Sequence, residues 1–433
     1  MLSTRLPPVA LRIDRLIRKL NQHVITHIEK VKNIAMRISA YKIISHRLGA
    51  VSGILGLTVA IGTPVFAQNL YVSSDRTVSG GNPINGTYDQ VRIGRDSSGG
   101  NFTGVHADIT GGVYNGALFS FNDSLVNITG GDFKNVILPQ NSSVLNFGGT
   151  ATAENVLAVF NKATLNVTGG SVVTLQVGAS GDTAIANVSG AVQINYLNAN
   201  ANTTTNITGG LIGILYPFDD SVVNLKGGTV SELITGKNSV LNFTGGIVTD
   251  YPFLLGHSVL NFGGSAQIPF IQPQEFSTVN LSGGSIASDG FVDSIDHGTV
   301  NFTGGVFTVP IFGDGGAYNI SGGIFDNTTF VNSGPLFNLD YSDFRIFGTY
   351  ISVTNATAGT YTDNFGDNFD GVFWNLKGRL QNGDLLNTRY FEVNGSLSGP
   401  VRLTIVPEPG AAAFFMGIGC FGGLCLLSRR RRK

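Results

Sequence analysis

A short phrase in which an Asn precedes an apolar residue, with glycine following within four positions, recurs down this chain at an almost fixed spacing. It is centred on Asn127, Asn146, Asn166, Asn187, Asn206, Asn224, Asn242, Asn261, Asn280, Asn301 and Asn319, with an Asp variant at Asp108. The spacing between successive copies never strays far from one short period, the longest steps being Asn166 to Asn187 and Asn280 to Asn301 and the shortest Asn206 to Asn224, Asn224 to Asn242 and Asn301 to Asn319. A period this short leaves no room for packed helical pairs but suits one coil of a β-solenoid. The expected fold is therefore all-β: a right-handed parallel β-helix, or β-solenoid, of about twelve coils.

Local chemistry agrees with that reading. The residue after the Asn is apolar in every copy, from Ile109 and Ile128 through Phe302 and Ile320. The residue before it is mostly apolar as well. Alternation with period two then puts these neighbours inside and the Asn outside. A small residue stands three positions upstream, as at Ser124, Ser143, Ala163, Ser221 and Ser277, and the paired glycines turn the corner. A second apolar position follows at Phe133, Val172, Ile212, Val230, Val248, Ile286, Phe307 and Phe325. A looser third lies at Leu138, Leu215, Leu233, Phe253, Phe291 and Ile311, giving three short strands per coil. Coils stacked at about 4.8 Å would make a rod roughly 55 Å long.

Eight of the eleven Asn copies also fit the acceptor pattern for N-glycosylation. Asn146 and Asn261 are instead followed by Phe-Gly, and Asn224 by Leu-Lys. The Asn persists where the acceptor hydroxyl does not, so a stacked ladder of amides explains it better than a sugar site does. Residues 68–105 lack the full phrase and are expected to cap the first coil, coils fill 106–336, and longer strands in 337–405 are expected to form a C-terminal β-cap.

Both ends differ from this body. Residues 1–67 carry 10 Lys/Arg against Asp14 and Glu29, and an apolar stretch from Leu48 leads to Val65, Phe66 and Ala67. That order is a secretory signal, with cleavage by signal peptidase expected after Ala67. Its basic front is unusually long, and a start at Met36 would give a signal of ordinary length. A basic amphipathic helix over residues 9–47 is the alternative. At the other end, Val406, Pro407, Glu408 and Pro409 precede Gly410 to Ser428, an unbroken run without a charge. A run of that length just spans a hydrocarbon core of about 30 Å. Arg429, Arg430, Arg431, Arg432 and Lys433 follow as a cytoplasmic stop.

This three-part tail resembles the PEP-CTERM sorting signal, with residues 406–409 as the motif, 410–428 as the transmembrane helix and 429–433 as the basic stop. The resemblance covers residues 406–433. It implies a Gram-negative-type bacterium whose exosortase-type membrane protease recognises and removes the tail, delivering the body to the cell surface or its matrix. A permanent single-span anchor is the alternative.

Charge and reactive groups narrow the function further. Residues 68–405 carry 12 Lys/Arg against 25 Asp/Glu, a balance that repels polyanions and argues against nucleic acid as a partner. Both cysteines, Cys420 and Cys425, lie in the apolar tail, so the body offers neither disulfide nor thiolate metal site. No cofactor or metal motif is present. Parallel β-helices also host polysaccharide lyases and hydrolases, which need clustered carboxylates or bases. The best group is Asp293, Asp296 and His297. Asp293 and Asp314 follow their repeat Asn at the same interval, which would stack them if the coils keep register. His106 and His257 stand isolated in the sequence. Aromatics at Tyr216, Phe218, Tyr251 and Phe253 suit either the core or a stacking platform for an extracellular polysaccharide. The expected function is thus a non-enzymatic surface or matrix protein with structural or adhesive action; a polysaccharide lyase, hydrolase or binding protein is the alternative.

Overall fold

The structure, a computed structural model, describes residues 70–73, 76–78, 90–95, 99–250, 252–288, 290–314, 316–325, 337–340, 343–362, 368–393 and 402–406. Two compact units divide the chain, Met1–Val65 and Phe66–Lys433, and the first lies wholly outside the described residues. Met36, Ala67, Tyr251 and the tail from Pro407 to Lys433 lie outside them too. All regular structure among the described residues is strand.

The body is a β-solenoid of about twelve turns. Each coil opens on a strand carrying the repeat Asn, such as Val144–Phe147, Thr164–Val167, Val240–Phe243 and Val259–Phe262. These strands pair in parallel with Asn opposite Asn on every rung from Asn127 to Asn319. Three strands per coil are plain where the chain breaks between them, as in Val240–Phe243, Ile247–Val248 and Pro252–Leu254.

Alternation decides what enters the core. Val126, Ile128, Leu241 and Phe243, which flank their Asn residues, are fully buried, whereas the Asn side chains stay half-buried on the outer face. Like rings meet from rung to rung: Phe243 and Phe262 pack edge to face with centroids 5.5 Å apart, and Tyr114 stacks on Phe133 at 4.5 Å. The second apolar position is buried at Phe133, Val172, Ile212, Val230, Val248, Phe307 and Phe325 and partly buried at Ile286. The third position behaves less uniformly. Leu215, Leu233 and Ile311 are buried, but Leu138, Phe253 and Phe291 are half-buried, and their neighbours Ile137, Leu254 and Val292 point inward instead. The cause is parity: one residue more or less at the preceding bend moves a strand's inward set to its other face.

Two corners give every coil its shape. After the Asn strand, a glycine with φ between 61° and 111° makes the first turn in all twelve copies, from Gly112 to Gly323. At Gly149, with φ 62°, an added Cβ would stand 2.1 Å from the carbonyl oxygen of Thr129 one coil below, so both conformation and space demand glycine. Before the Asn strand a second left-handed residue recurs, and here it is mostly not glycine. Asn122, Asn141, Asn161, Ala201, Asp219, Lys237, Glu275 and Asp296 have φ between 50° and 61°. The chain then enters the small-residue column, where Ser124, Ser143, Ser221, Ser239 and Ser277 are buried. Ser124 and Ser277 donate through Oγ to the carbonyls of Phe121 and Gln274 at 2.8 and 2.7 Å, closing the turn with their own side chains.

Parallel stacking runs past the phrase at both ends. Leu70–Val72 pairs with Gln90–Ile93, and Arg76–Val78 places Thr77 opposite Asp108. Beyond Asn319, Phe337–Asp340 stacks on Ile311–Asp314, while Asp343–Thr362 continues the Asn strands and receives Arg402–Val406 on its far side. Asn368–Leu380 pairs antiparallel with both Asp343–Thr362 and Leu385–Val393, and Leu385–Val393 also pairs in parallel with Phe337–Asp340. Residues 68–105 and 337–405 thus contain coil-like strands of their own, with the antiparallel pair added at the C-terminal end.

Candidate functional site

The outer face of the Asn strands carries an unbroken chain of side-chain amides. Each Asn donates through Nδ2 to Oδ1 of the Asn one coil towards the N-terminus, in ten consecutive bonds of 2.7 to 2.9 Å from Asn319 down to Asn127. Asn127 passes the chain to Oδ1 of Asp108 at 2.8 Å. A carboxylate suits that end because it accepts without needing to donate further. Amide dipoles aligned head to tail leave positive character at this end and negative character at the other. Asp108 occupies the first, and Arg345 holds the next register position after Asn319. His106 is not isolated: its Nε2 lies 2.9 Å from both Asp108 Oδ1 and Asn127 Nδ2.

The carboxylates expected to stack do not. In the parallel pair Val292–Ile295 with Ile311–Asp314, Asp293 lies opposite Phe312 and Asp314 lies opposite Ile295. The coil holding Asp293 takes up extra chain ahead of this strand, because the path from Asn280 to Val292 is longer than the path from Asn301 to its partner Ile311. Equal counts from the repeat Asn therefore do not mean equal height. Asp293 is instead half-buried and accepts from Gln272 Nε2 at 3.1 Å. Asp296 is an exposed member of the left-handed column. Among the described residues no three His, Cys, Asp or Glu side chains gather where they could hold a metal ion.

A different cluster forms along the edge made by that left-handed column. His257, Phe276 and His297 occupy equivalent positions in successive coils, each just before the small-residue column. Their rings stack in sequence, with centroids 5.2 Å apart between His257 and Phe276 and 5.1 Å between Phe276 and His297. Phe276 is nevertheless 56% exposed. Two coils towards the N-terminus from His257, Tyr216 stacks on Phe218 at 5.2 Å. The Lys237 ammonium sits 4.5 Å from the Phe218 ring centre while pairing with Asp219. Between these groups runs an open groove of about 530 Å³, lined by Tyr216, Phe218, Lys237, His257, Glu275 and Phe276.

Of the aromatics singled out by sequence, Tyr216 and Phe218 meet in this groove, while Phe253 is a half-buried residue of its own strand. His257 and Phe276 join through the fold alone. One sequence signal pointed to them. The two residues before the small one read Asn-Asp, Asn-Ser and Asn-Lys in the early coils, then Lys-Asn, Gly-His, Glu-Phe and Asp-His from Lys237 to His297.

No protein-family description, curated protein or solved structure matches the chain.

Proposed function

We propose that the chain is a non-enzymatic, exported structural or adhesive component of the cell surface or extracellular matrix. The amide ladder carries this reading: on one whole face the central row of polar side chains is committed to holding coil to coil. A rod of this kind displays surface at regular intervals without a reactive centre. Export follows from the two ends. Signal peptidase cuts after Ala67, and an exosortase-type protease recognises Val406 to Pro409 while residues 410–428 span the membrane as a helix and residues 429–433 stop transfer. The coils wind right-handed, as parallel crossover connections do. The described strand Arg402–Val406 ends on Val406, the first residue of the proposed motif.

The intact mass of protein released from the cell surface tests this directly. A species that begins after Ala67 and has lost residues beyond the Val406 to Pro409 motif is expected. Retention of the tail on surface-exposed protein would show a permanent anchor instead. Polysaccharide cleavage that Asp293→Asn or Asp314→Asn abolishes would show an enzymatic role instead.

A further inference from the structure

Three departures from the repeat coincide on one stretch of the rod edge. The first is backbone strain. The left-handed column is filled mainly by Asn, Asp and Gly, which tolerate that conformation, yet Lys237 and Glu275 occupy it at φ 50° and 56°. Ala201 takes the same conformation without a functional side chain, so the strain bears on function only where, as here, both charged side chains line one groove. The second is exposure: Phe276 stands 56% exposed at a position filled elsewhere by Asp123, Ser142, Lys162 and Asn202. The third is the pairing of ring stacks, His257–Phe276 and Tyr216–Phe218, on one groove, with His297 continuing the first stack beyond it. A stacked pair with a cation over it recurs on this edge, as Phe119 and Phe121 with Arg95 near the N-terminal end; what sets the groove apart is that exposed rings of the following coils continue the pair.

We infer that this groove binds a neutral polysaccharide chain. A pyranose ring has apolar C–H faces and a rim of hydroxyls, each both donor and acceptor. The groove matches both parts. Rings supply apolar surface, the Lys237 ammonium only donates, the Glu275 carboxylate only accepts, and the Asn238 amide does both. A wholly apolar ligand would strip water from Lys237 and Glu275 with nothing in exchange. Polyanions are disfavoured because, in the coils from Phe218 to His297, Asp219, Asp220, Glu275 and Asp296 line this edge beside the Lys237 ammonium, which Asp219 already pairs. From the coil of Phe218 to that of Phe276 is three rungs, about 14 Å at the strand spacing, so a short run of sugar units lies along the rod axis. Side chains are already tied in place there. Glu275 Oε2 accepts from the Gly256 N–H at 2.8 Å, and Asn238 Nδ2 donates to Asp220 Oδ1 at 3.0 Å, so little ordering remains to oppose binding.

The assignment rests on the reading of the chain as a surface or matrix protein and names its ligand. Affinity electrophoresis and calorimetry of the purified full chain against soluble neutral glucans (α-1,6-, β-1,3- and β-1,4-linked) and against two polyanions, alginate and polygalacturonate, test it. Binding of at least one neutral glucan is expected, insensitive to salt. Phe276→Ala and His257→Ala should each weaken it at least tenfold, while Asn202→Ala, on the same edge outside the groove, leaves it unchanged. An unaltered far-UV spectrum and melting curve confirm that the variants are folded, and Phe276→Leu, which keeps apolar bulk without the ring, should also lose binding. Absence of binding to every neutral glucan, preference for the polyanions, or full binding by the Phe276→Ala, His257→Ala double variant would overturn the inference. Surface display is read separately by mass, so a chain that is displayed but does not bind defeats only this assignment.

Discussion

The amide face and the aromatic edge run along the same coils but treat repetition in opposite ways. On the face, one residue type occupies every rung, because each amide satisfies its neighbour and any exception leaves two partners exposed to loss. Along the edge, each turn closes on its own backbone and on the small residue that follows it, so the outward positions are released to vary. Asn-Asp in one coil becomes Glu-Phe in another with the same left-handed turn. Regularity here marks what holds the rod together. Irregularity marks where it has freedom to acquire a ligand.

Replacing one residue type in both regions breaks this comparison most sharply. Phe243→Ala empties a fully buried core position and should cost about 3–5 kcal/mol in denaturant unfolding, whereas Phe276→Ala on the edge should change stability by no more than about 0.5 kcal/mol. Comparable losses in the two variants would mean that the edge is part of the core. Next in size is the ladder. Asn206 donates to Asn187 and accepts from Asn224, so Asn206→Ala leaves two half-buried amides without their partner and is expected to cost about 1–3 kcal/mol.

Position along the ladder sharpens the point. Asn206→Asp sets a carboxylate against the Asn187 carbonyl and should cost at least as much as Asn206→Ala. Asp108→Asn, at the end where nothing further must be donated, should stay within about 0.5 kcal/mol of the parent chain; urea midpoints of the two variants make the test. One substitution should be a gain. Ala201, with φ 54°, has no side-chain hydrogen bond to offset its conformation, so Ala201→Gly should stabilise the chain by about 1 kcal/mol, seen as a raised melting temperature.

Much of the fold was legible in the chain because a coil's faces are set by local alternation. The apolar residues beside each Asn, the second apolar column and the glycine corner could all be read without knowing how coils meet. Reading failed where it needed heights rather than faces. Leu138, Phe253 and Phe291 were assigned inward on spacing, and a single residue at the preceding bend reversed their parity. Asp293 and Asp314 were counted to equivalent positions of successive coils, yet the longer path in one coil offset them along the strand, Asp293 opposite Phe312 and Asp314 opposite Ile295.

The sequence by itself determined the period, the inward and outward sets of the Asn strand and the amide that stacks on every rung, because those depend only on residues a few positions apart. Only the tertiary structure decided which side chains of neighbouring coils share a level: that Lys237 and Glu275 take left-handed turns, that His257, Phe276 and His297 stack, and that Asp293 stands beside Gln272. Coils of unequal length absorb their differences at particular bends, and hydrogen bonding between whole strands, not counting along the chain, fixes the height at which each residue comes to rest.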